Sequence, residues 1–210
     1  MIVLAEGKTD DDYIRKSLKL LFPDVCHMFK FFDYRSDAQP ERNSSALTKF
    51  CNAIVSLNLQ EKFIFLFDND AAGKEGLRKT PTHLPANMKA ITLPDLPFAA
   101  NCPTISPDGP SHSDIDGRAV AIEFLLGDDA LARSDGSCCP VEWTGREGGA
   151  YQGKLEGDGK QNAQRIFEKA IEESLFNGEP SPGYDWEKMI QLLTHIINTA
   201  ASLKEDGAIP

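Results

Sequence analysis

The chain lacks any apolar run near the roughly 20 residues that span a bilayer, and it opens without a charged-then-apolar leader. Those absences predict a cytoplasmic protein with no membrane partner. Cysteine is sparse and odd in number, with Cys26, Cys51, Cys102, Cys138 and Cys139 at irregular spacing. This argues against a disulfide framework. Cys26 and Cys51 lie in apolar periodic segments and read as small core residues. Cys102, His112, Cys138 and Cys139 match no usual zinc spacing, and adjacent cysteines chelate one ion awkwardly. Basic charge is also short: 22 Lys and Arg face 32 Asp and Glu, for a net charge of −10. A nucleic-acid binder working alone is usually basic. Binding of that kind would need a cation, a basic partner or another copy of the chain. The four histidines, His27, His83, His112 and His195, share no spacing. No Ser-His-Asp or Cys-His set stands out, and no phosphate-binding loop is present. No internal repeat is visible.

What is present is acid at strand ends. Glu6-Gly7-Lys8-Thr9-Asp10 follows the apolar Ile2-Val3-Leu4-Ala5. Asp68-Asn69-Asp70-Ala71-Ala72-Gly73 follows the run Phe63-Ile64-Phe65-Leu66-Phe67. If both strands lie in one parallel sheet, Glu6, Asp68 and Asp70 meet at its carboxyl edge, where open α/β sheets bind ligands. Two carboxylates about 4 Å apart repel by on the order of 4 kcal/mol at an effective dielectric of about 20. Such a cluster needs a cation, a shared proton or water, and oxygen-only ligands suit a hard ion such as magnesium, manganese or calcium.

The alternation of elements fits that sheet. Ile2 to Ala5 reads as a strand. A helix capped by Asp10 or Asp11 runs to about Phe22. His27 to Asp33 reads as a second strand, and Arg35 to Asn43 as a polar loop. A helix follows, capped by Ser44 or Ser45, with Leu47, Phe50, Cys51 and Ile54 on its buried face. Lys62 to Phe67 reads as a strand buried on both faces, Ala71 to Lys79 as a short helix and Met88 to Leu93 as a strand. This pattern predicts a parallel sheet with right-handed crossovers. Pro94 to Arg118 holds five prolines and reads as a long loop. Ala119 to Leu126 reads as a helix, Val141 to Thr144 and Tyr151 to Leu155 as short strands, and Gln161 to Phe176 as a helix. A last helix, capped by Asp185, carries a stripe of Trp186, Met189, Ile190, Leu193, Ile196 and Ile197.

A strand ending in Glu-Gly-Lys-Thr-Asp, two βα units, then a strand ending in Asp-Asn-Asp-Ala-Ala-Gly resembles the Toprim domain. That resemblance covers about residues 1–95. It implies a Rossmann-like parallel sheet flanked by helices, with residues 96–210 as a C-terminal extension in the same compact unit. Ala121-Ile122-Glu123-Phe124-Leu125-Leu126 resembles the late acidic helix of OLD-family nucleases, where a further carboxylate completes a second metal site. The resemblance implies two-metal hydrolysis of DNA or RNA, with Mg2+ or Mn2+ held by Glu6, Asp10, Asp68, Asp70 and Glu123. It also implies anti-phage defence alongside an ABC-type ATPase in trans. On the same resemblance Glu6, Asp68 and Asp70 would be the catalytic acids, and Lys160 or Lys154 the lysine that steadies charge at the phosphate. Plainer readings stand beside these roles. Asp10 at a helix start also reads as a cap, Asp70 as an Asx turn, Glu123 as an outward-facing residue, and the lysines as parts of a surface hairpin. Asp114 and Asp116 are weaker acidic candidates. A maturase of ribosomal RNA would share the core without needing Glu123, and a partner-binding scaffold would need none of the acids.

Overall fold

The computed structural model describes residues 1–32 and 41–204. Its first half runs β1 (Ile2–Ala5), α1 (Lys8–Leu21), α2 (Pro23–Cys26), α3 (Ser44–Ser56), β2 (Phe63–Phe67), β3 (Asn69–Asp70), α4 (Ala71–Arg78) and β4 (Met88–Thr92). The second half opens with β5 (Cys102–Ser106), β6 (Gly109–Ser113), β7 (Ala119–Val120) and α5 (Asp128–Leu131). It closes with β8 (Val141–Glu147), β9 (Ala150–Leu155), α6 (Gly159–Asn177) and α7 (Glu187–Ala201).

β2 takes the centre of the main sheet because it has no polar side chain to turn outward. All five of its residues are buried, as a strand covered on both faces requires. It pairs in parallel with β1 on one side and β4 on the other. Alternation along the strands feeds two cores. Val3, Ala5, Ile64 and Leu66 pack with Ile14 and Leu18 of α1, Phe167 of α6 and Met189 of α7. Leu4, Phe63, Phe65 and Phe67 pack with Leu47, Cys51 and Ile54 of α3. The protein is therefore α/β, with a mostly parallel sheet flanked by helices on both faces. A second sheet, in the order β6-β5-β8-β9, carries the later part of the chain. Among the described residues no helix is long and apolar enough to cross a membrane.

Several expectations need correction. The stretch His27–Asp33 is not a strand over its described part: Pro23–Cys26 forms a helical turn, and Lys30 alone makes a parallel bridge, to Ile2. Asp33 and most of the expected 35–43 loop lie outside the described residues. The first helix starts earlier than expected, at Lys8 with Gly7 as its N-cap. Asn43, not Ser44 or Ser45, caps α3 by accepting from the Ala46 N–H at 2.9 Å. On α3 Thr48 is buried and Phe50 is exposed. Trp186 rather than Asp185 holds the N-cap position of α7, where Ile190 is exposed and Leu192 buried.

The expected 94–118 loop is instead a 3-10 turn (Pro97–Asn101) and the β5–β6 hairpin. Pro103 precedes the part of β5 that pairs with β8, Thr104–Ile105, so its missing N–H costs no bond on that side. The expected helix over 119–126 is β7 followed by a 3-10 turn, Ile122–Leu125. β7 pairs antiparallel with β3, which ties this apolar segment to the strand-end acids.

Candidate functional site

The parallel register decides where the first acids stand. Ala5 lies opposite Leu66, so the chain leaves β1 and β2 at the same edge. Glu6, 9% exposed, accepts a hydrogen bond from the Asp68 N–H at 3.1 Å. The loop that carries Glu6 is held from below. The buried Asp11 accepts from the Ala5 N–H at 3.1 Å and pairs with Arg42 at 2.8 Å. The same guanidinium donates to the Ala5 carbonyl at 2.6 Å.

Asp10 occupies the third position of α1 and reaches back to the Gly7 N–H at 2.8 Å. Asp70 caps α4: one oxygen accepts from the Gly73 N–H at 2.7 Å, and the other from Gln152 Nε2 at 2.6 Å. Gln152 also accepts from the Ala72 N–H at 3.1 Å, so β9 clamps the turn from outside. Gly73 is required by backbone approach, since a Cβ there would lie 2.1 Å from the Asp68 carbonyl oxygen.

Glu123 corrects the outward-facing reading: it is 3% exposed. The 3-10 turn aims it at the start of α6. There one oxygen accepts from Lys160 Nζ at 2.9 Å and from Gln164 Nε2 at 2.9 Å. Lys160 thus opens α6 beside the acids. Lys154 does not join them: it is exposed on β9, opposite Glu142. Asp114 and Asp116 stand in a separate group. Asp116 accepts from the Leu96 N–H at 3.4 Å and from Asn69 Nδ2 at 3.4 Å, while Asp114 accepts from the Asp116 N–H at 3.0 Å.

Five carboxylates gather around little positive charge, and the proton affinities of Glu6, Asp10 and Asp68 rise there. Burial pushes Glu6 up to about 8, with Asp70 and Asp10 adding to the rise and the Asp68 N–H opposing it. Burial and the nearby Glu123 push Asp10 up to about 6. Asp68 rises well above the usual carboxylate range through burial and the charges of Asp10, Glu6, Asp70 and Glu123. Lys160 responds in the opposite sense: burial would lower it, but Glu123, Asp10 and Asp68 together hold it above its ordinary value.

The described bonds of Glu6, Asp10, Asp70 and Glu123 go to protein donors. Among the described residues no three His, Cys, Asp or Glu side chains form a group set to hold a metal ion. The donors nevertheless fit a hard divalent ion, being oxygen throughout and charge-starved. Among the described residues, Cys102, Cys138 and Cys139 are free thiols, while His112 is exposed on β6 and builds no site with them. Comparison with protein-family models, curated proteins and solved structures finds no match.

Sequence reasoning missed Gln152, Gln164, Asp11 and Arg42. A glutamine in a hairpin or helix carries no positional signal. The signal for Asp11 was available, since the middle acid of Asp10-Asp11-Asp12 falls on the inner face of a helix that starts at Lys8.

Proposed function

We propose that the carboxylate edge is the active site of a metal-dependent nuclease of the Toprim type, nearest to the OLD family. It would hydrolyse phosphodiester bonds of DNA or RNA. The observation that carries this reading is Glu123, an acid buried against the Glu6–Asp68 edge and paired with Lys160. A maturase-like enzyme would not need Glu123, and a scaffold would need none of the acids.

Glu6, Asp10, Asp68, Asp70 and Glu123 are the residues to hold Mg2+ or Mn2+. Bound there, the ions would lower the pKa of an attacking water and steady the leaving oxygen. The chain's own groups do the rest. Asp68 and Glu6, held by backbone geometry, fix one side of the site. Asp70, placed by Gln152 and the Gly73 N–H, and Asp10, placed by the Gly7 N–H, would hold the ions from the other side. Lys160, kept protonated by its acidic neighbours, faces the charge that builds on the phosphate. The supply of such substrate in defence against phage, through an ABC-type ATPase in trans, belongs to the same proposal.

The test is cleavage of supercoiled plasmid and structured RNA with Mg2+ or Mn2+. Parent protein cuts, while Glu6→Ala and Asp68→Ala do not. Full activity in either variant removes the site assignment. Full activity in Glu123→Ala moves the reading to the maturase-like enzyme, and no cutting by the parent with or without an ATPase partner supports the scaffold.

A further inference from the structure

A second group of oxygens stands apart from the five acids of the carboxylate edge. Asp95 follows β4, Asn69 lies in β3, and Asp114 and Asp116 precede β7. The Asn69 side chain is fully buried. Its Nδ2 donates to Asp95 Oδ1 at 3.0 Å and to Asp116 Oδ1 at 3.4 Å. Its Oδ1 has no hydrogen-bond partner among the described residues. Buried polar atoms are nearly always bonded, and an exception calls for a cause. The described bonds hold this amide only through the two acids. Amide oxygen and nitrogen exchange places by a half-turn about a broad, two-fold torsion. That half-turn forfeits no described bond except those two.

The backbone around the amide is fixed. The Gly117 N–H donates to the Asn69 carbonyl at 3.0 Å, and Asn69 pairs with Val120 of β7. Gln191 Nε2 of α7 donates to the Asp95 carbonyl at 3.1 Å, and the Asp116 N–H donates to Asp114 at 3.0 Å. The carboxylates are less well served. Asp116 Oδ1 receives long contacts, 3.4 Å from Asn69 and 3.4 Å from the Leu96 N–H, past the usual limit of about 3.2 Å. Among the described residues no lysine or arginine forms an ion pair with Asp95, Asp114 or Asp116. Burial, with Asp95 and Asp114 adding to it, holds Asp116 above the usual carboxylate range, although the Leu96 N–H and Lys74 oppose the rise.

The spacing fits one hard ion. Oxygens about 2.4 Å from Ca2+ lie about 3.4 Å apart when they subtend a right angle, and closer at smaller angles. The amide nitrogen stands 3.0 and 3.4 Å from the two carboxylate oxygens, and the half-turn puts Oδ1 in its place. Calcium accepts unequal angles and six to eight oxygens, whereas Mg2+ demands a near-regular octahedron. Asp95 and Asp114 are exposed, which leaves room for water ligands.

We propose that Asp95, Asp116 and the turned Asn69 Oδ1 bind one Ca2+, with water completing its shell and Asp114 adding charge beside it. The ion ties the exit of β4 to β3 and to the turn before β7, and so braces the strand end that carries Asp68 and Asp70. Two acids and an amide hold it weakly, with a Kd on the order of 10⁻⁴–10⁻³ M. The site does not depend on the nuclease reading.

The test is calorimetric titration of Ca2+ into Glu6→Gln/Asp68→Asn protein, in which the carboxylate edge is weakened. One ion binds. Adding Asp95→Asn/Asp116→Asn weakens that binding at least tenfold, whereas adding Asp24→Asn, exposed on α2, changes nothing. The side-chain NH2 signals of Asn69, followed by 15N–1H correlation, move with the midpoint of the titration. Circular dichroism confirms that each variant is folded. Ca2+ bound equally with and without Asp95→Asn/Asp116→Asn overturns the site, as does a folded Glu6→Gln/Asp68→Asn protein that binds no Ca2+. Unmoved Asn69 signals overturn the turned amide, and Mg2+ bound more tightly than Ca2+ overturns the choice of ion. Failure of the parent to cut plasmid bears on the nuclease reading alone.

Discussion

The two sides of the carboxylate cluster are built differently. The Glu6–Asp68 side is set by backbone: two adjacent parallel strands end together, and a main-chain N–H ties the acids at 3.1 Å. The Glu123 side is set by side chains, on a 3-10 turn that Lys160 and Gln164 hold from another helix. Among the described residues no lysine or arginine pairs with the backbone-built side, and burial leaves its acids inclined to keep a proton. The other side brings its counter-charge with it. A rigid, charge-starved pair beside a self-neutralised acid is the arrangement expected if an external cation completes the site.

The largest effect should come from breaking the backbone side. Gly73→Ala drives a methyl into the Asp68 carbonyl at 2.1 Å, and no flexible side chain is there to yield. A loss of about 3 kcal/mol or more is expected in chemical denaturation, in the range of severe core disruption. A loss below about 1 kcal/mol would mean that the strand end is softer than described.

The next effect separates the two sides by pH. Glu6 has a folded pKa of about 8 against 4.5 unfolded. The folded state therefore binds more protons between those values, and this group's contribution falls as pH rises through that window. Glu6→Gln should equal the parent near pH 4.5 and exceed it by on the order of 2 kcal/mol at pH 8 in the absence of divalent ions. Added Mg2+ at pH 8 should raise the parent's urea midpoint and leave the variant nearly unchanged. A parent as stable as Glu6→Gln at pH 8 without metal removes the claim that this side is charge-starved.

Lys160→Ala acts on the other side, leaving Glu123 buried with Gln164 as its remaining described partner. Because the Lys160 side chain is 58% exposed, the stability loss should be modest, about 1 kcal/mol. Cleavage should fall about 100-fold or more. Equal losses in stability and activity would make Lys160 a structural residue only. The smallest change is Gln152→Ala, which frees one Asp70 oxygen and the Ala72 N–H. About 1 kcal/mol of stability should be lost, with cation affinity kept or raised, as calorimetric titration with Mn2+ would show.

The backbone-built side was the legible one. The run Phe63–Phe67 had to be a central strand, and acids directly after two such strands had to meet. The side-chain-built side was not legible, because Val120, Ile122, Phe124, Leu125 and Leu126 are all buried. A segment covered on every side shows no period from which to tell a helix from a strand and a 3-10 turn. Glu123 lies inside only because Lys160 and Gln164 arrive from α6. The prolines of 94–118 likewise signalled breaks, although Pro103 sits in a strand where its missing N–H is not called on by β8. The strand expected over 27–33 failed for the opposite reason: among its described residues only Lys30 joins the ladder.

The central claim is that the two sides together hold a pair of divalent cations, and Mn2+ binding followed by electron paramagnetic resonance at pH 8 tests it most directly. The account predicts two bound ions in the parent, one in Glu123→Ala and none of comparable affinity in Asp68→Ala. Mn2+ bound equally by the parent and Asp68→Ala would contradict it.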